Sequence, residues 1–261
     1  MKFILNNIYI LGGVVLIILI SVCCSSKNES GFVFEEQESQ QQQIDSLICN
    51  LPSYEDIVNP IKEAGIQFQA QLLNLQTVPV QDKQSIVALQ TGVLLSDMAY
   101  CRYFEQVHKA MFLSSQIEDR MQALNIPTGE IQQIGIELET HMYSRDTVMG
   151  ILSEAYTDLN DGLMKSKRTG ISALIMTGAW IESSRLMLAD NTVSDEMVSQ
   201  HWKKYRDVLS SLIPLIDAFE SGIPENLSPV LNELTECQER NKALEKIDIL
   251  HNLISNREQL Q

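Results

Sequence analysis

The chain has two hydrophobic patterns. A nearly continuous apolar run lies near the N-terminus, and the rest of the chain has apolar residues at helical spacing. The run covers residues 8–22, IYILGGVVLIILISV, and only Tyr9 and Ser21 interrupt it. From Ile44 to about Arg257, apolar residues recur at intervals of three and four, which is typical of amphipathic helices. Apolar alternation bounded by hairpin turns does not occur in this body. The pattern therefore predicts an all-α protein.

Helix signals divide the body into segments. A helix is predicted to open at Asp82 and to run through residue 106, and a second one covers 107–124. The stretch Asn125–Gly129 then breaks the pattern, and two amphipathic helices follow over 131–142 and 148–163. Because the connections are short, neighbouring helices should pack antiparallel. Residues 44–261 are thus predicted to form a helical bundle of about seven or eight mostly antiparallel helices.

The clearest stripe lies near the C-terminus. Seven residues step alternately by four and three: Val198, Trp202, Tyr205, Leu209, Leu212, Ile216 and Phe219. Ser194 is placed to cap this helix and Gly222 to end it. A second stripe predicts a single last helix that begins at Ser228 and carries these residues on one face: Leu231, Leu234, Cys237, Leu244, Ile247, Leu250 and Ile254.

Two segments, 86–104 and 169–188, are apolar nearly all round and contain Gly92 and Gly178. A helix that is apolar on every side belongs in the centre of a bundle. Glycine within a helix costs about 1 kcal/mol relative to alanine, and close approach of another backbone would explain it. We expect the two glycines to face each other across one helix contact.

Each of these helices also carries one acid, Asp97 or Glu182, in its apolar stretch. A buried carboxylate must be paired or protonated. The two acids, with Tyr100 and Trp180 nearby in sequence, suggest either a polar ligand pocket or a network that fixes helix register. Acids that reach solvent at a helix rim are a third interpretation. Candidate partners for the acids are Arg102, Arg145, Arg168, Arg185, His108 and the hydroxyls of Tyr100, Thr177 and Tyr205.

Charge and composition exclude several classes. The chain has 261 residues, with 34 acidic against 19 basic side chains and a net charge of −15, which opposes nucleic-acid binding. Five cysteines are too few for a disulfide scaffold. Phosphate-loop, HExxH and CxxC patterns do not occur. We therefore expect a protein without catalytic residues, metal ligands or cofactor.

The N-terminus has the pattern of a targeting signal. Lys2 precedes the apolar run, and Cys23 and Cys24 follow it directly. This arrangement resembles a bacterial lipoprotein signal, in which a cysteine receives fatty acyl chains and becomes the first mature residue. The resemblance implies a signal peptide over 1–22 and lipidation of Cys23, which has Ile20 three residues before it. Cys24 is the alternative site, and an uncleaved membrane anchor is the alternative to cleavage.

Residues 23–43 are rich in Gln, Ser and Glu and are predicted to form a flexible polar tether. Residues 44–261 form the predicted helical domain. Since the body is acidic and repelled by anionic lipid heads, membrane attachment must come from the covalent lipid.

Two short stretches, GVLLSDMAY (92–100) and ALIMTGAWIES (173–183), resemble segments of uncharacterised all-helical envelope proteins of Bacteroidetes-type bacteria. The resemblance implies location and fold only. The expected function is a non-enzymatic interaction or binding role in the cell envelope, with the body in the periplasm or at the cell surface and an envelope protein as partner. The alternative is a ligand-sensing or substrate-binding bundle with a polar pocket near Asp97 and Glu182. The ligand is left unidentified.

Overall fold

The structure is a computed structural model that describes residues 65–77, 79–126, 140, 144–218 and 222–255, without the side chains of residues 145, 146, 148 and 149. Within these ranges it contains seven α-helices and no strand, which confirms the predicted all-α helical bundle. The predicted signal, the tether and almost all of the helix predicted over 131–142 lie outside the described residues.

A single 3-10 turn, Ala70–Leu72, precedes the helices. The helices are α1 (Gln84–Tyr103), α2 (Val107–Ala123), α3 (Arg145–Lys165), α4 (Thr169–Ala189), α5 (Asp195–Asp217), α6 (Leu227–Glu236) and α7 (Arg240–Ser255). None of these seven is long and apolar enough to cross a membrane.

Helix α4 forms the centre of the bundle. Every residue from Thr169 to Leu188 is buried, and α1, α3, α5 and α7 all pack against this helix. Helix α1 makes the most extensive contact with it and is buried at all but one position from Val87 to Arg102. The prediction that the two all-apolar segments lie in the centre is therefore confirmed.

The two glycines bring α1 and α4 into backbone contact. A Cβ atom on Gly92 would lie 1.9 Å from the carbonyl oxygen of Ile175. A Cβ atom on Gly178 would lie 2.0 Å from the carbonyl oxygen of Leu89. Gly92 therefore contacts α4 one turn before Gly178, and Gly178 contacts α1 one turn before Gly92. One turn further along, the Ser96 hydroxyl donates to the Ala179 carbonyl at 3.0 Å.

Three helices are followed, two residues after their last residue, by a left-handed backbone conformation: Glu105 (φ 59°) after α1, Asn125 (φ 52°) after α2 and Lys167 (φ 57°) after α3. The next residue donates its N–H five positions back, over 2.8, 2.9 and 2.7 Å respectively. These paired bonds satisfy carbonyls that the helix itself leaves free. Because of this, α1 ends at Tyr103 and not at the predicted residue 106.

The seam predicted for α5 is confirmed at its six described positions, all of which are buried. Phe219 lies outside the described residues. The predicted cap is present, since the Ser194 hydroxyl accepts from the Met197 N–H at 3.4 Å. Gly222, with φ 84°, lies between α5 and α6.

The prediction of one last helix from Ser228 is wrong, because the chain breaks into α6 and α7. Cys237 adopts an extended backbone after α6. Its carbonyl accepts a hydrogen bond of 2.7 Å from the indole N–H of Trp202 on α5. This contact with a buried aromatic residue holds the carbonyl away from helical pairing. The apolar stripe continues across the break, with Leu234 and Ile247 both fully buried.

Arginines from elsewhere in the chain cap the C-termini of α2 and α6. Arg168 donates to the carbonyls of Leu124 and Asn125 at the end of α2. Arg206 donates to the Thr235 carbonyl at 3.1 Å, near the end of α6. Cations at a helix C-terminus also interact favourably with the helix dipole.

The third arginine cap closes the central helix. Arg240, the first residue of α7, donates to the carbonyls of Leu188 at 2.8 Å, Val193 at 3.3 Å and Asp190. It also pairs with the Asp195 carboxylate at 2.8 Å. A single side chain therefore joins the end of α4, the start of α5 and the start of α7.

Candidate functional site

A buried ion pair lies in the C-terminal half of α4. Arg185 is one helical turn after Glu182, and its guanidinium binds both carboxylate oxygens, with Nε–Oε2 at 2.9 Å and Nη2–Oε1 at 2.5 Å. Glu182 is completely buried and Arg185 is 8% exposed. Two-pronged contact of this kind is the strongest geometry available between a guanidinium and a carboxylate.

Two further helices bring ionisable groups to the same carboxylate. His251 of α7 places its Nε2 atom 3.3 Å from Oε2 of Glu182. Asp97 of α1 forms a side-chain hydrogen bond with Glu182. We call Asp97, Glu182, Arg185 and His251 the polar cluster. All four side chains are buried, and together they connect α1, α4 and α7.

Glu182 is the ionised carboxylate of the polar cluster. Burial alone raises the pKa of Glu182, but the charges of Arg185 and His251 and the hydrogen bonds from Arg185 and Asp97 outweigh it, so that the pKa is lowered. Burial likewise acts to lower the pKa of Arg185, and Glu182 reverses this and raises it.

The structure thus joins Asp97 and Glu182, but it places Tyr100 and Trp180 elsewhere. Trp180 points toward α5, where its indole N–H donates to the Tyr205 carbonyl at 2.9 Å and its ring lies 6.0 Å from that of Trp202. Tyr100 binds the segment that precedes α1. The four residues that the sequence grouped therefore divide over three neighbourhoods.

Sequence reasoning named Arg185 as a partner for the acids but overlooked His251. A signal for it was present in the last apolar stripe. His251 lies four residues after Ile247 and three before Ile254, so it shares the inward face of α7 with both. A histidine at such a position must find a polar partner in the core, and Glu182 is that partner.

Residues 65–77, which we call the strap, cross the bundle beside the polar cluster. The Tyr100 hydroxyl donates to the Gln67 carbonyl at 2.9 Å and accepts from the Gln69 N–H at 2.8 Å. The Asp190 carboxylate accepts from the Gln67 N–H at 2.8 Å. Arg185 donates to the carbonyl of Leu72. The strap therefore shares one residue, Arg185, with the polar cluster.

Aromatic packing also holds the strap in place, through the side chain of Phe68. The ring of Phe68 stacks on Tyr100 with centroids 5.4 Å apart and lies 5.8 Å from Phe104. The ammonium group of Lys109 lies 5.3 Å from the centre of the Phe68 ring. Burial raises the pKa of Tyr100 to about 12, so its hydroxyl keeps its proton at neutral pH.

The chemistry that these side chains can support is limited. Glu182 has no exposed surface, and its two oxygens are engaged by Arg185, His251 and Asp97. Burial, with the nearby charge of Asp97, raises the pKa of Cys101 to about 12, and the resulting thiol is a poor nucleophile. No group of three metal-ligating side chains occurs in the part of the chain that the structure describes.

Comparison of the chain with protein-family models, with curated proteins and with solved structures finds no match.

Proposed function

We propose that this protein is a lipid-anchored component of a bacterial cell envelope whose helical body acts by interaction and not by catalysis. The observation that carries the proposal is the N-terminal pattern: Lys2, the apolar run over 8–22, the cysteines Cys23 and Cys24, and the polar stretch that follows. Acyl chains contribute about 0.8 kcal/mol for each buried CH₂ group, so two or more hold a protein firmly on a bilayer.

The polar cluster supports a structural role for its charged residues. Buried charges that are paired with each other specify how helices dock, because any other register would leave one of them alone. Here Glu182 fixes α7 through His251 and α1 through Asp97. The bundle then presents an outer surface of fixed shape, which suits an interaction with an envelope protein.

The second candidate is a ligand-sensing bundle, and one observation favours it. Ionisable groups with shifted pKa values often mark binding sites, and the polar cluster contains two such groups, Glu182 and Arg185, beside the strap segment that precedes α1. In this alternative, a ligand would enter near Asp97 and Glu182. Isothermal calorimetry with small carboxylates and amines, compared between wild type and Asp97→Asn, distinguishes the two. Heat of binding that Asp97→Asn removes would favour the sensor.

Metabolic labelling with an alkyne fatty acid tests the anchor. We expect the wild type to take up label and the Cys23→Ala, Cys24→Ala double variant to lose it. Cys237→Ala provides the matched control, since that cysteine lies in the body between α6 and α7. An unlabelled wild type, or a double variant that labels as strongly as the control, would refute lipid anchoring.

The two single variants identify the modified residue. If Cys23 carries the lipid, Cys23→Ala loses the label and Cys24→Ala keeps it. The reverse result would assign the lipid to Cys24. Membrane fractionation of the same strains shows whether attachment follows the label: we expect the double variant to leave the membrane fraction, unless the apolar run over 8–22 remains as an uncleaved anchor.

A further inference from the structure

The strap has little structure of its own. Its internal backbone hydrogen bonds are those of one 3-10 turn, from the Leu72 N–H to the Gln69 carbonyl at 3.1 Å and from the Leu73 N–H to the Ala70 carbonyl at 3.2 Å. What holds the segment in place is therefore the surface beneath it, formed by the C-terminal halves of α1 and α4.

That surface binds the main chain of the strap. Four backbone groups are engaged, namely the N–H and carbonyl of Gln67, the N–H of Gln69 and the carbonyl of Leu72. The side chains that engage them belong to Tyr100, Asp190 and Arg185. Recognition through main-chain groups does not depend on the identity of the bound residues, and grooves that bind extended peptides use it for affinity.

Three side chains of the strap pack against the groove and would make it selective for peptides with the same spacing. Ile66 is 4% exposed and Leu73 is 9% exposed, while Phe68 packs on Tyr100 and Phe104. Gln67 and Gln71 between them are exposed. A peptide would fit this groove if it carried an aliphatic residue, an aromatic residue two positions later and another aliphatic residue five positions after that.

Two features make the strap releasable. Gly65 at its start has φ 68°, and no atom lies within 4 Å of where a Cβ would be; glycine changes between backbone conformations at little steric cost, so this residue suits a hinge. The Gln69 Nε2 amide is buried, and no described residue accepts a hydrogen bond from it. A buried donor without an acceptor destabilises the docked state relative to one in which water reaches that amide.

We propose that the groove between α1 and α4 is a binding site for a short peptide segment, which the strap occupies in cis until a partner with the same apolar–aromatic–apolar spacing displaces it. This inference deepens the proposed interaction role, since it names the surface and the class of partner. It does not depend on lipid attachment, so the labelling experiment and the test below can fail separately.

The test uses the full chain in detergent micelles and a fluorescein-labelled peptide with the sequence of residues 65–77. The strap is loosened by Phe68→Ala with Gln69→Pro, which removes the aromatic anchor and the N–H that Tyr100 accepts. We expect the loosened variant to bind the peptide at least tenfold more tightly than wild type, in fluorescence anisotropy. Adding Tyr100→Phe should weaken that binding about tenfold, whereas adding Tyr103→Phe, a matched loss of a hydroxyl on the same helix, should not.

Release of the strap has its own readout. Because burial raises the pKa of Tyr100, removing the strap should move it back toward 10, which is measured as phenolate absorbance against the Tyr100→Phe background. If Phe68→Ala with Gln69→Pro loses its helical circular dichroism, Ile66→Ala with Phe68→Ala takes its place, since it leaves the backbone unchanged. Both variants keep all three side chains that bind the main chain.

Two results would overturn the proposal. One is a variant whose Tyr100 titrates near 10 but which binds the peptide no better than wild type, since the strap would then be only a structural cover. The other is a loosened variant that forms dimers in light scattering and takes up no peptide, which would assign the groove to the strap of a second copy.

Discussion

Replacing Gly178 with alanine should destabilise this protein, although alanine is the better helix former. The new Cβ atom would lie 2.0 Å from the Leu89 carbonyl oxygen and 2.8 Å from its carbonyl carbon. Carbon and oxygen atoms in close contact lie about 3.3–3.6 Å apart, so this contact would have to lengthen by roughly 1.3–1.6 Å. The obstacle is main chain on a buried helix, which cannot move aside as a side chain can.

The size of the effect follows from two opposing contributions. Alanine in place of glycine stabilises a helix by about 1 kcal/mol. Overpacking a core costs typically about 1–3 kcal/mol, and here it also strains the hydrogen bond from Ser96 to the carbonyl of the adjacent Ala179. The difference is a net loss of up to about 2 kcal/mol for Gly178→Ala, and we expect a larger loss for Gly178→Leu. Gly92→Ala should act alike, because its Cβ would lie 1.9 Å from the Ile175 carbonyl.

Helix α3 offers matched controls. Gly150 and Gly162 are exposed helical glycines with no atom within 4 Å of an added Cβ. Alanine at either position should therefore stabilise the protein by about 0.5–1 kcal/mol. The same substitution then has opposite signs at the buried and the exposed sites.

Urea unfolding followed by circular dichroism at 222 nm measures these free energies. The losses for Gly92→Ala and Gly178→Ala should not add in the double variant, since both act on one helix contact. The reasoning is refuted if Gly178→Ala is as stable as Gly162→Ala. Additive losses would instead show that the two glycines belong to independent contacts.

Three other predictions follow from the core. Glu182→Gln should lower the free energy of unfolding by about 3–5 kcal/mol because it leaves Arg185 buried and unneutralised, and Glu182→Gln with Arg185→Met should recover much of that loss in urea melts. Stability should fall between pH 9 and 12, because Cys101 and Tyr100 ionise at about 9 and 10 when unfolded but near 12 when folded. The urea midpoint of wild type should show this fall, and Cys101→Ala with Tyr100→Phe should flatten it. The fragment 44–257 should be soluble and give a circular dichroism spectrum dominated by helix, whereas a strand or coil spectrum would contradict the fold.

Apolar spacing predicted α5 and the two central helices because burial in a bundle repeats with the period of the helix. It did not predict the break between α6 and α7, since that break depends on a hydrogen bond from Trp202, which is distant in sequence. The sequence also did not predict where α1 and α3 end. Glu105 and Lys167 adopt a left-handed backbone conformation, which is usually recognised in a sequence by a glycine.

The polar cluster shows the same division. A lone acid in an apolar helix was enough to mark Asp97 and Glu182 as residues in need of partners. The partners themselves depend on how helices are placed in space. Arg185 was within reach because it lies one turn away on the same helix, whereas His251 becomes a neighbour only when α7 docks on α4.

The arginine that closes α4 also sets an order of events during synthesis. The carbonyls of Leu188 and Asp190 emerge from the ribosome about fifty residues before Arg240, which satisfies them. Until that residue appears, the most apolar helix of the body has neither its cap nor its last neighbour, α7. The nascent chain therefore carries its future core partly uncovered until α7 has been made. It is in this interval, and not in the finished protein, that a chaperone or an export factor would find a helix to hold.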